Sequence, residues 1–283
     1  MAARAKSLIL VAAVVACGAA QEKKPPAQRI ISLVPALTEM LFAIGAGRQV
    51  IAVSSYDNFP PEVKGLDRVG AMLDPDTERI LKLRPDLVLT YGSQTALDAQ
   101  LASAGTRTFA YRHAGIAGIF DSMRRLGGES GHAAEAGRAV ETIQRQLEAV
   151  RSRVRGRPRP RVLLVFGRQA QSLQQIYVSG GTGFLHELVE IAGGTNVFAD
   201  VRRESVQPSR ETLLVRAPDV IVEIHASRPV TAADAPRERA AWSPLASVPA
   251  VRDGRLYFLN GDYLAVPGPR IGLIAEAFAK VFH

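Results

Sequence analysis

The residues with chemical reach are few and scattered. His113, His132, His186, His225 and His283 form no H-x-H or H-x3-H pair, the spacings that set two imidazoles on one strand or helix face for a metal. His113 and His225 follow apolar runs and could face a cleft, whereas His186 falls in an amphipathic helical pattern. The stretch "SGGTG" (Ser179–Gly183) precedes a helical pattern, and backbone N–H groups in such a turn can cradle phosphate. It lacks the lysine and hydroxyl of a P-loop and does not read G-x-G-x-x-G, so a tight turn is the expectation. There is no G-x-S-x-G nucleophile motif. Asp57 and Asp262 become a carboxylate pair only if the fold joins them, which spacing alone does not show. Little here suggests turnover. What does recur is a phrase: "ERILKLRPDLVLT" starts at Glu78, and "ETLLVRAPDVIVE" starts at Glu211. The alignment needs no gap and matches the glutamates, Leu81 with Leu214, Pro85 with Pro218, and Asp86 with Asp219.

The elements that must position these residues alternate between strand and helix. "QRIISLVP" is a β-branched strand ending at Pro35, "ALTEMLFAIGAG" is a short helix, and "QVIAVSSY" is a second strand. The first copy of the repeat supplies a helix, which Asp74 or Asp76 can cap, and "DLVLT", an apolar strand of the kind buried in parallel sheets. A helix ("TALDAQLASAG") and a strand ("TRTFAY") follow. From Gly131 to Gly156 the apolar residues Ala136, Val140, Ile143, Leu147, Val150 and Val154 alternate at +4 and +3. That is one stripe of a helix of about 24 residues, about 36 Å long. Fewer than four heptads between two α/β segments favour a connecting helix over a coiled coil. "RVLLVFG" restarts the pattern, the second copy of the repeat continues it, and "RLYFLN" with "PRIGLIAEAFAKVF" ends it. The expected fold is α/β: two Rossmann-like lobes with mostly parallel sheets, joined by one long helix, with a cleft between them.

The chain of 283 residues opens with Arg4 and Lys6 ahead of the apolar run "SLILVAAVVA". That run is too short to span a bilayer and suits a secretory leader. Residues 1–20 are therefore expected to be a signal peptide, ending in a lipobox with lipidation at Cys17 or in cleavage near Gln21. Residues 21–27 read as a tether, 28–130 as the N-terminal lobe, 131–157 as the connecting helix and 158–283 as the C-terminal lobe. Cys17 is the sole cysteine, so intrachain disulfides and thiol-based zinc or redox centres are excluded. Losing Arg4 and Lys6 with the leader lowers the formal charge from +8 to +6. The excess gathers in "RSRVRGRPRPR" (Arg151–Arg161), read as a solvated helix end and linker. It has no interleaved aromatics, so nucleic acid is not expected.

In this order, the phrases "RIISLVPALTEMLFAIGAG", "VIAVSSYDNFPPEV", "VGAMLDPDTERILKLRPDLVL", "SGGTGFLHELVEIAGGTNVFAD", "PSRETLLVRAPDVIV" and "WSPLASVPAVRDGRLYFLN" resemble the cluster A substrate-binding proteins of ABC importers. That family serves cobalamin, haem and ferric siderophores, and the resemblance is greatest to its cobalamin-binding branch. It covers residues 28–283 and implies a ligand cleft between two lobes. In the family, one glutamate per lobe docks onto arginines of a dimeric permease, and these map to Glu78 and Glu211. Aromatic side chains from both lobes hold the corrinoid. Tyr56 and Tyr91 match such positions, Met72 stands where a tryptophan is expected, and Ser205 and Val206 occupy a loop that carries another. Tyr263 is a further ligand-binding candidate, while Trp242 is expected to be structural.

The implied function is capture of a corrinoid and its delivery to an inner-membrane permease dimer with its ATPase. The receptor would be an extracytoplasmic monomer, membrane-anchored if Cys17 is lipidated, that carries no cofactor of its own. Haem or a ferric siderophore is the alternative ligand, for which one tyrosine or histidine ligand would suffice in the haem case. A zinc or manganese receptor and a two-lobed enzyme stand further off.

Overall fold

The computed structural model describes residues 25–283. The expected leader, its lipobox at Cys17 and residues 21–24 of the tether lie outside the described residues. The first lobe alternates strand and helix: β1 (Ile30–Ser32), α1 (Pro35–Ala43), β2 (Val50–Val53), β3 (Asp67–Arg68), α2 (Thr77–Lys82), β4 (Leu87–Tyr91), α3 (Thr95–Ser103), β5 (Arg107–Tyr111) and α4 (Ile116–Ser130). Its sheet is parallel throughout, in the order β3-β2-β1-β4-β5. Ile30, Ile31, Leu87, Val88 and Leu89 are all buried, because helices cover both faces and leave no polar side to the central strands. The chain reverses direction across the sheet between β1 and β4, which is where open α/β sheets hold their ligands.

Helix α5 (Ala133–Val154) connects the lobes and buries the stripe read from the sequence, Ala136, Val140, Ile143, Leu147, Val150 and Val154. Gly131 ends α4 in the left-handed region (φ 80°), so the chain turns sharply into α5. Helix α5 packs on α4 of the first lobe and on α6 and α10 of the second. A single apolar cluster accordingly runs from Leu37 and Met123 through α5 to Val162, Leu188 and Phe278. Each lobe also has its own smaller core on the outer face of its sheet.

The second lobe contains β6 (Arg161–Gly167), β7 (Tyr177–Ser179), α6 (Phe184–Ile191), β8 (Thr195–Asn196), β9 (Ser205–Val206), α7 (Arg210–Arg216), β10 (Val220–His225), α8 (Ala235–Ala240), α9 (Pro249–Arg252), β11 (Leu256–Asn260) and α10 (Ile271–Phe282). Its central ladder is parallel, β11 to β10 to β6, with β8 parallel to the start of β6. The sheet as a whole is mixed, since β7 runs antiparallel to both β6 and β9.

The doubled phrase builds the same joint in both lobes. Asp76 accepts from Arg79 N at 2.9 Å and caps α2, and Ser209 accepts from Thr212 N at 3.2 Å and caps α7. Arg84 and Ala217, at matching positions, both take positive φ (47° and 40°) just before the buried Pro85 and Pro218. Next, Asp86 accepts from Gln28 N (2.8 Å) and Arg29 N (3.1 Å), while Asp219 accepts from Arg161 N (2.9 Å). Each aspartate thereby fastens its strand to the first strand of its own lobe. Arg29 donates to the carbonyls of Leu83 and Arg84, and Arg161 to that of Arg216, closing the carbonyl end of each helix.

Candidate functional site

The carboxyl ends of the parallel strands face one another across the lobes. On the N-terminal wall, the turn after β2 is held by Asp57, which is fully buried. Its Oδ2 accepts from Ser54 N (2.9 Å) and Ser54 Oγ (2.5 Å), and Arg68 donates to the Ser54 and Asp57 carbonyls. Burial pushes the Asp57 carboxyl above its usual range, against the opposing pull of the Ser54 bonds. This rigid turn presents Tyr56, 72% exposed, and Phe59 to solvent. Gln94 links the next two candidates: its Nε2 donates to the Met72 carbonyl (3.1 Å), and its Oε1 accepts from Tyr91 N (2.8 Å). Met72 is thus tied to the end of β4 at the sheet's switch point. Tyr91 meets Tyr111 edge-on, with centroids 6.3 Å apart, and Tyr111 meets His113 at 5.2 Å. Burial raises both phenols, and the Tyr111 hydroxyl has no hydrogen-bond partner among the described residues.

The C-terminal wall holds a pocket of ≈ 520 Å³ at the ends of β6 and β10, lined by Phe166, Arg168, His225 and Arg228 among others. Its floor is a buried charge network: Arg168 pairs with Glu223 (3.0 Å) and Glu238 (2.8 Å), and Trp242 Nε1 donates to Glu223 at 2.5 Å. Trp242 is fully buried there, a structural place. Tyr177, 40% exposed, stacks on Phe166.

Among the described residues, two side chains link the lobes through hydrogen bonds. Arg270, just before α10, makes a two-pronged bond with buried Glu39 of α1 (2.6 and 2.8 Å) and a third to Asp262 (2.9 Å). Its guanidinium lies 3.9 Å from the Phe59 ring centre and 5.7 Å from that of Tyr263. Tyr263 of one lobe and the Tyr56–Phe59 turn of the other are joined through it. Glu39 titrates above its usual range because burial outweighs the attraction of Arg270. Glu187 of α6 makes the second crossing by accepting from Ile116 N (3.1 Å) at the start of α4. Gly115 is needed there, since a Cβ would sit 1.7 Å from Glu187 Oε1.

Glu78 and Glu211 are exposed in the first turns of α2 and α7. Asp57 and Asp262 have separate partners, Ser54 and Arg270. In "SGGTG", a Cβ on Gly180 or Gly181 would lie 2.1 Å from the carbonyl oxygen of Arg203 or Ala199, so the glycines serve close backbone packing. Phe59, Tyr111, Glu39 and Arg270 were not found by sequence reasoning. The signal available was an acid, Glu39, inside the apolar run "PALTEMLFAI", which required a cation without saying which.

Two α/β lobes on one helix, with strand ends and exposed aromatics facing each other, define a two-lobed binding protein. The chain belongs to the periplasmic binding protein family, whose model matches residues 30–263. It is 34% identical to the vitamin B12-binding protein of Yersinia pestis (strain Pestoides F), over 90% of this chain and 86% of that protein. Among solved structures it is similar to the periplasmic vitamin B12 binding protein BtuF of Vibrio cholerae. The identity there is 26%, the TM-score 0.75, and the match covers 91% of this chain and 97% of that one. A periplasmic haem-binding protein from Pseudomonas aeruginosa matches with the same identity and TM-score, over 90% and 92% of the two chains.

Proposed function

We propose that this protein is the extracytoplasmic receptor of an ABC importer, taking a corrinoid in the cleft between its lobes and passing it to the permease. The observation that carries the reading is the make-up of the cleft walls. Tyr56, Phe59 and Met72 stand exposed on one lobe and Tyr177 on the other, where large apolar groups left in water mark a binding surface. A broad macrocycle with apolar faces and a polar amide rim fits such walls, with Tyr91 and Tyr263 completing them. The vitamin B12-binding relatives support the corrinoid over other ligands. Haem is the second reading, favoured by the Tyr91–Tyr111–His113 cluster on the N-terminal wall and by the haem-binding structural relative. The protein binds and releases its ligand without turnover. Cys17, if lipidated, anchors it to the membrane. Titrating the purified protein with cyanocobalamin, haemin and ferric siderophores, while recording visible spectra and heat, tests the reading. Saturable binding of cyanocobalamin is expected, preference for haemin establishes the second reading, and binding of none overturns both.

Glu78 and Glu211 dock onto the permease in this reading. Two exposed carboxylates at matching places on matching lobes suit a two-fold partner with a basic pocket on each half. The double variant Glu78→Ala/Glu211→Ala should abolish transport and leave ligand affinity near that of the wild type. A parallel loss of affinity would place the glutamates in the cleft.

A further inference from the structure

Among the described residues, the exposed large apolar side chains gather in few places. Tyr56, Phe59, Met72, Leu73 and Tyr177 lie at the strand-end loops, Leu81, Leu214 and Val215 on α2 and α7, and Leu273 on α10. The second group follows the repeat. Leu81 comes three residues after Glu78, and Leu214 three after Glu211, so each leucine shares a helix face with its glutamate. Their exposures, 36% and 41%, nearly match, although their neighbours Lys82 and Val215 differ. The repeated joint thus leaves a leucine partly open beside a glutamate at the same place in both lobes. We infer that the docking surface is bipartite: Leu81 and Leu214 are the apolar contacts of the permease, beside Glu78 and Glu211 as the charged ones.

This rests on the docking reading given above. The occupant is the two-fold permease, whose matching half-sites would each offer a cation with an apolar rim. Three observations select it. The pair of side chains is duplicated in the same order, and both helices are set rigidly by the same Pro-Asp joint. Each helix also follows closely on a strand-end segment, α2 after the exposed Met72 and Leu73 and α7 after β9. The division of labour is physical: charge steers the encounter and weakens with salt, whereas apolar burial slows dissociation and does not.

The test measures binding of the purified receptor to the permease–ATPase complex in nanodiscs across a salt series. The receptors compared are wild type, Leu81→Gln/Leu214→Gln and Glu78→Ala/Glu211→Ala. Glutamine keeps the length and helix preference of leucine, so thermal midpoint and ligand affinity should stay near wild type. The leucine variant should bind about tenfold more weakly or worse, with an unchanged salt slope, and the glutamate variant should lose the salt slope. Wild-type binding by the leucine variant, with weakened binding by the glutamate variant, overturns the inference and leaves docking intact. A loss of ligand affinity in the leucine variant also overturns it, placing the leucines at the cleft. If neither variant weakens, the docking reading fails and takes the inference with it.

Discussion

Two buried acids contribute to the response of this protein to pH. Asp57 and Glu39 both titrate above their ordinary values of 3.8 and 4.5, so the folded chain holds protons that the unfolded chain has already released. Stability from these groups is therefore fullest below those ordinary values and is lost as pH rises through the raised ones. Asp57→Asn cannot make that loss. In urea unfolding from pH 4 upward, the wild type should lose stability relative to Asp57→Asn, and a constant difference would refute the assignment. The Glu39–Arg270 pair behaves differently when cut. Arg270→Ala leaves Glu39 buried, 3% exposed, without its cation, and should cost about 3 kcal/mol. Replacing both residues with methionine should recover part of that, read as the shift in urea midpoint. Glu39 passed unnoticed in its apolar helix, and its partner lies 231 residues away, a distance no local pattern spans.

At the scale of elements, the Pro-Asp joint carries weight out of proportion to its length. Asp86→Ala and Asp219→Ala should each cost about 1 kcal/mol by freeing strand N–H groups. Because the two sites belong to separate lobes, the double variant should show the sum, within about 0.5 kcal/mol. A larger combined loss, measured by chemical denaturation, would mean that the joints communicate through α5. Long elements were legible in the sequence for a plain reason: α5 has six buried apolar residues in strict +4/+3 alternation, and β6 carries five apolar residues in a row, Val162–Phe166. The mixed character of the second sheet was not legible. It comes from β7 and β9, three and two residues long, too short to show a period or a direction.

For the whole molecule, the decisive feature is that one apolar core runs through both lobes by way of α5, with Arg270–Glu39 and Glu187–Ile116 as polar crossings on top of it. Moving the lobes far apart would break that core. Solution scattering of the wild type with and without cyanocobalamin should therefore differ little, and Arg270→Ala should widen the difference. A large domain rotation in the wild type would contradict this account. The two-lobed plan was readable because its repeat is written in sequence, whereas the cleft walls depend on which loops of distant elements meet. Tyr56 and Tyr91 rest on the family resemblance alone, and the placing of Phe59 against Arg270 comes only from the fold.

A receptor latched in this way has little means of advertising what it carries. Empty and loaded copies would hold Glu78 and Glu211 at nearly the same separation, so a docking station reading those two carboxylates could not sort one from the other. Vacant copies would then queue at the same door as full ones. The rate of uptake would depend on the ratio of receptor to ligand as well as on affinity, and overproducing the receptor in scarcity would slow import.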